Sequence, residues 1–163
     1  MKTIVISLFP GCESNYVSTE NDITIDSYRY SWLIKEHGVK VRNPDFPSNY
    51  INVIKDCIGK VNVIFVSSHG EVRDALRNNN IPYIYIRPNI DMRDKFVERY
   101  IDKGESDSFI EFMYDNWEGF ILNDMSDTGT YMVELNESNP YINLTLIDDI
   151  FKSVYMEDME NET

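Results

Sequence analysis

Three short apolar runs constrain this chain more than any other feature: TIVISL (Thr3–Leu8), VNVIFV (Val61–Val66) and IPYIYI (Ile81–Ile86). Each is far shorter than the roughly 20 residues needed to span a bilayer. None alternates strictly between apolar and polar positions. Continuous apolar runs of this length belong to strands covered on both faces. Between and around them lie stretches with apolar residues at helical spacing. Tyr50, Ile51, Ile54 and Ile58 precede the second run; Val72, Ala75 and Leu76 follow it. Strands alternating with helices specify an α/β fold, a mostly parallel sheet flanked by helices in three layers.

Local signals place the remaining elements. Asp22–Asp26 reads as a short second strand, and Ser27–His37 as a helix closed by Gly38. Pro47 suits the first turn of the helix that ends at Gly59. Further helices are expected over Glu71–Asn78, Asp91–Lys103 and Ser106–Leu122, the last capped by Ser106 or Asp107. Thr130–Leu135 reads as a final strand and Leu144–Met156 as a final helix. The length of 163 residues fits one domain, residues 1–155, with lid-like helices at about 91–122 and an acidic tail over 156–163. The opening MKTIVISLFPG has one lysine and no small-residue cleavage site, so it reads as a strand and not a signal peptide. Two cysteines, Cys12 and Cys57, make no disulfide framework and suit a reduced, cytoplasmic protein. The N-x-[ST] triplets at Asn136, Asn143 and Asn161 then carry no meaning.

The net charge is −13, and it is unevenly spread. Residues 1–101 hold 13 basic and 12 acidic side chains, whereas residues 102–163 hold 2 and 16. Such a balance excludes general affinity for nucleic acid or an anionic membrane. It leaves the acidic C-terminal part as a solvated surface or as a face for a partner protein.

Ligands of open α/β sheets bind outside the carboxyl ends of the strands, so the loop after the first strand is the place to look for chemistry. It reads Leu8-Phe9-Pro10-Gly11-Cys12-Glu13-Ser14-Asn15. A phosphate-binding loop has G-x-x-x-x-G-K-[ST] there: glycines to wrap backbone amides round phosphates, a lysine for the outer phosphates and a hydroxyl for magnesium. Here Leu8 and Glu13 stand for the two glycines, Ser14 for the lysine and Asn15 for the hydroxyl residue.

The wider pattern carries a resemblance. The segments RNPDFPSNYINVIKDCIGKVNVIFVSSHGEVRDAL (Arg42–Leu76), ITIDSYRYSW (Ile23–Trp32), DMRDKFVERYIDKG (Asp91–Gly104) and SFIEFMYDNWEGFI (Ser108–Ile121) resemble phage-encoded P-loop nucleoside monophosphate kinase-like proteins, related to adenylate and deoxynucleotide kinases. The resemblance runs from residue 1 to about 155. It implies a P-loop kinase-like fold, ATP with magnesium as phosphoryl donor, and a monophosphate held beneath a helical cover. Carried onto this chain, it makes Gly11, Cys12, Ser14 and Asn15 the phosphate loop. Asp26 becomes an acidic residue on the magnesium side. Arg42, Ser67, Ser68 and His69 become contacts to the monophosphate or magnesium. Arg87, Arg93 and Arg99 become the basic residues at the strand end and on the lid helix.

The departures from that pattern argue against phosphoryl transfer, which depends on positioning and charge stabilisation. Loss of the lysine removes a charge-assisted contact. Glu13 beside phosphates adds repulsion on the order of a few kcal/mol in a partly dry site, and about 1.4 kcal/mol is a factor of ten in rate. The expectation is a phage protein of kinase fold without catalytic residues in its phosphate loop. It would act by binding a host protein through its acidic part or a nucleotide-derived ligand. An active (deoxy)nucleoside monophosphate kinase is the alternative.

Other constellations are weaker. His37, before Gly38, reads as a favourable charge at a helix end. Neither histidine has a second His or Cys at metal-ligand spacing. Cys12 beside Glu13 is disfavoured as a thiolate. Asp124–Leu135 has a calcium-loop glycine at Gly129 without the closing glutamate. Tyr28 and Tyr30 are candidates for base stacking, with packing as the plainer reading.

Overall fold

A computed structural model describes residues 2–13, 19–124 and 131–161. The first apolar run becomes β1 (Ile4–Leu8), followed by β2 (Asp22–Thr24) and a single helical turn, α1 (Tyr28–Ser31). A hairpin of β3 (Trp32–Ile34) and β4 (Lys40–Arg42) precedes α2 (Ser48–Cys57). Then come β5 (Val63–Ser67), α3 (Gly70–Asn78), β6 (Tyr83–Pro88), α4 (Arg93–Lys103), α5 (Asp107–Asp124), β7 (Tyr131–Leu135) and α6 (Leu144–Asn161). None of these helices is long and apolar enough to cross a membrane.

The main sheet has the order β2-β5-β1-β6-β7, and every pairing in it is parallel. The run that opens the sequence therefore lies at the centre, in register Ile6↔Phe65 on one side and Ile6↔Ile84 on the other. Neighbouring residues of a strand point to opposite faces. Arg73 of α3 lies 4.5 Å over the Tyr85 ring, whereas Ile84 shares a cavity with Val133 and with Ile150 of α6. Hence α3 and α6 cover opposite faces, which gives the three layers expected of an α/β chain. Helix α6 reaches from β7 to the far edge, where Leu144 and Ile147 share a cavity with Asp22 and Val63. The resulting core is continuous and includes Ile6, Ile64, Ile86, Phe96 and Trp117.

One expected element is corrected. The helix drawn over Ser27–His37 is a single turn followed by the β3–β4 hairpin. Trp32, Ile34, Val39 and Val41 are β-formers, and His37 and Gly38 between them both adopt positive φ, 60° and 75°. Two such residues in succession turn a hairpin and cannot continue a helix. His37 consequently ends no α-helix; it lies in the 3-10 turn Glu36–Gly38 that joins the two strands. The other boundaries move by a few residues. Ser106 is the group that caps α5, accepting from Phe109 N at 3.2 Å. The last helix runs past Met156 to Asn161. Gly104 closes α4 in the left-handed conformation.

Candidate functional site

The chain leaves β1 for the edge strand β2 on one side, and leaves β5 for β6 on the other. β1 and β5 are neighbours, so the order of the sheet reverses between them, and open α/β sheets form their binding crevice at such a point. A crevice of about 460 Å³ opens there, within the usual range of ligand pockets. Its walls come from the ends of three strands: Leu8, Pro10 and Glu13 after β1, Thr24 to Ser27 after β2, and Phe65 to His69 at the end of β5; Lys103 at the end of α4 completes the rim.

The polar groups facing it are mixed in sign. Glu13 lies 3.8 Å from Lys103, which is equally close to Glu105. Asp26 Oδ1 accepts from Tyr28 N at 2.9 Å, which fixes the turn after β2. Ser67 Oγ accepts from His69 N at 3.3 Å. Burial and, next, the Arg42 guanidinium lower the pKa of His69 and favour neutral imidazole at pH 7. Arg42 stands just beyond, held to Glu71 at 2.9 Å and stacked over Trp32 and Phe46. Beneath the floor, the buried Tyr50 Oη donates to the Ile25 carbonyl and accepts from Ser67 N at 3.2 Å. One phenol thus ties the end of β2 to the end of β5. Burial pushes its pKa up, so it stays a donor.

The loop after β1 is built quite differently. Phe9 N donates to Ile86 O and Cys12 N to Phe9 O, while Pro10 has no N–H to offer. The loop carbonyls are also engaged. Pro10 O accepts from Tyr100 Oη at 2.7 Å, Gly11 O from Arg99 Nη1 at 3.0 Å, and Cys12 O from Ile142 N at 3.2 Å. Gly11 has φ 95°, and a Cβ there would sit 3.0–3.1 Å from the Phe96 and Tyr100 rings. Cys12 is fully buried; its pKa is raised by burial first and by Glu13 second, so it remains a thiol. A phosphate cradle needs several free amides pointing at one spot. Here the described part of the loop is packed as core against α4.

The candidate residues from the sequence therefore separate. Asp26, Ser67, Ser68 and His69 come together on the crevice walls, with Arg42 behind His69. Gly11 and Cys12 lie behind the loop and outside the lining. Arg99 is buried, spans Gly11 O and Pro140 O, and stacks between Phe96 and Tyr141. Arg93 lies over Tyr114 on α5. Arg87, buried at the end of β6, pairs with Glu134 at 3.1 Å. Ser14 and Asn15 lie outside the described residues, as do residues 125–130 of the calcium-like stretch. Sequence reasoning missed Ser27, Lys103 and the Tyr50 strut. Only the position of Ser27 next to Asp26 offered a signal. No group of three His, Cys, Asp or Glu among the described residues is assembled to hold a metal ion. In the described part of the first loop Glu13 stands where a phosphate loop has its second glycine, and the backbone groups of Phe9 to Cys12 are engaged, so these residues do not fit magnesium-ATP. Comparison with protein-family models and with curated proteins finds no match to this chain.

Proposed function

We propose that this protein is a P-loop kinase-like domain that binds a nucleotide-derived ligand in the β1–β5 crevice and does not transfer phosphate. One observation carries the reading. The crevice at the reversal of the sheet is open and lined by hydrogen-bonding groups, while the described part of the loop that would cradle phosphates has its Pro10 and Gly11 carbonyls bonded by α4. A central first strand and helices on both faces are what a P-loop kinase-like fold requires, and they support that assignment. Asp26, Ser67 and Ser68 offer acceptors and hydroxyls suited to ribose and base. Glu13 repels phosphates from the first loop, and Arg42 with neutral His69 leaves the opposite end of the crevice as the more favourable side for an anion.

Two assays test this. Turnover of ATP with each deoxynucleoside monophosphate, followed by ADP release, is expected to stay flat; turnover at ordinary kinase rates of about 1–100 per second would overturn the non-catalytic half. Binding of nucleosides and nucleotides by calorimetry addresses the other half, and Asp26→Ala is expected to weaken it about tenfold, the loss of one net hydrogen bond of roughly 1.4 kcal/mol.

A further inference from the structure

Two surfaces of the molecule are complementary to each other, and apart from Arg42 neither serves the crevice. The first is the β3–β4 hairpin. Residues 32–42 hold three basic side chains, Lys35, Lys40 and the Glu71-paired Arg42, and one acidic, Glu36. The hairpin also leaves apolar side chains in water, with Ile34 73% and Val39 55% exposed. Lys35 has no ion-pair partner among the described residues. The second is the outer face of α5. That helix has five acids and no base in 18 residues. Glu111, Asp115, Glu118 and Leu122 follow one another at helical spacing. Phe112 and Leu122 are each 54% exposed. Between them sits Gly119, around which a Cβ would meet nothing. Exposed apolar residues rimmed by charge are the ordinary mark of a contact surface.

We propose that the hairpin of one copy docks on the α5 face of the next, so that the chain assembles head to tail. The occupant is a second copy because both halves of the match are on the same chain. The hairpin follows the edge strand β2, and α5 precedes the opposite edge strand β7. The charge runs the same way: residues 1–101 sum to +1 and residues 102–163 to −14. A two-fold dimer through α5 would set Glu111, Asp115 and Glu118 against their own copies, whereas a head-to-tail contact pairs unlike ends. The bare backbone at Gly119 gives the hairpin room for close approach. Such a contact closes into a ring or grows into a short filament, and its attraction is screened by salt.

Sedimentation velocity on the full chain tests it. In about 50 mM salt, species heavier than the monomer are expected to grow with protein concentration and to dissolve at about 1 M, where the screening length falls to roughly 3 Å. Lys35→Glu with Lys40→Glu removes one surface, and Glu111→Lys with Glu118→Lys removes the other. Each double variant alone is expected to be monomeric. Their equimolar mixture is expected to restore assembly, since it brings one intact hairpin to one intact α5 face and the two reversed surfaces are again opposite in sign. Ile34→Asp, at a position 73% exposed, is expected to weaken assembly at least tenfold. A wild-type monomer at every concentration in low salt overturns the proposal, as does assembly that survives either reversal or a mixture that stays monomeric.

Discussion

Two loops leave neighbouring strands at the same edge of the sheet and serve opposite ends. In the loop after β1, residues 9–12 pack against the core: Arg99, Tyr100 and Ile142 bond their carbonyls, and Phe96 closes on Gly11. The loop after β5 is a wall of the crevice, with Ser67, Ser68 and His69 turned to the cavity. The difference teaches that a binding crevice belongs to sheet topology, whereas phosphate binding belongs to free backbone amides.

The largest contrast is between the glycines of the two loops. Gly11→Ala forces a side chain into φ 95° and against two rings. The expected cost is about 3 kcal/mol, combining backbone strain and overpacking, or a melting point lower by roughly 6–12 °C. Gly70→Ala has an ordinary φ and meets only Arg73 Nη2 at 3.8 Å, so it is expected to be neutral or to stabilise by up to about 1 kcal/mol. Equal effects in thermal denaturation would erase the distinction between the loops.

The arginines give the next contrast. Arg99→Met leaves the Gly11 and Pro140 carbonyls without their donor and is expected to cost about 2 kcal/mol. Arg42→Met breaks an exposed pair with Glu71 and is expected to cost under about 1 kcal/mol, while weakening anion binding in the crevice. Denaturant titration of the two variants reads both values. Tyr50→Phe removes the strut between β2 and β5; an expected loss of about 1–2 kcal/mol should come with weaker ligand binding, although Tyr50 lies below the floor.

His69 sharpens the comparison through pH. Its pKa is lowered in the folded state, by burial first and Arg42 second. The unfolded chain therefore takes up the proton first as pH falls below about 6.5. The stability that neutral His69 contributes is complete above that pH and is lost as pH falls toward the folded pKa. His69→Gln should flatten the stability profile in this window, which parallel melts of both proteins will show.

The three central strands were legible because a strand buried on both faces has no polar positions to hide it. That ligands bind at the carboxyl ends of the strands followed from the α/β pattern, and Ser67-Ser68-His69 from their place at a strand end, but the strand order that sets the crevice between β1 and β5 is long-range pairing that no local pattern carries. The hairpin was not legible as such. Its signal is the positive φ of His37 and Gly38, and a His-Gly pair also ends helices. The use of Arg99 was hidden for another reason: its partners are backbone carbonyls 41 and 88 residues away, and sequence shows a cation without its acceptor. Tyr50 was correctly placed on the apolar face of α2, but only its hydroxyl reveals the strut.

Thermal stability against adenosine, deoxynucleosides, their mono- and triphosphates, and cyclic dinucleotides, each with and without magnesium, tests the central claim most directly. The expected result is a rise of roughly 5–11 °C with at least one ligand at about 100 times its dissociation constant, equivalent to about 2.7 kcal/mol, reduced by Asp26→Ala and indifferent to magnesium. A flat response across the whole panel, or one that demands triphosphate and magnesium together, would contradict a crevice that binds without a phosphate loop.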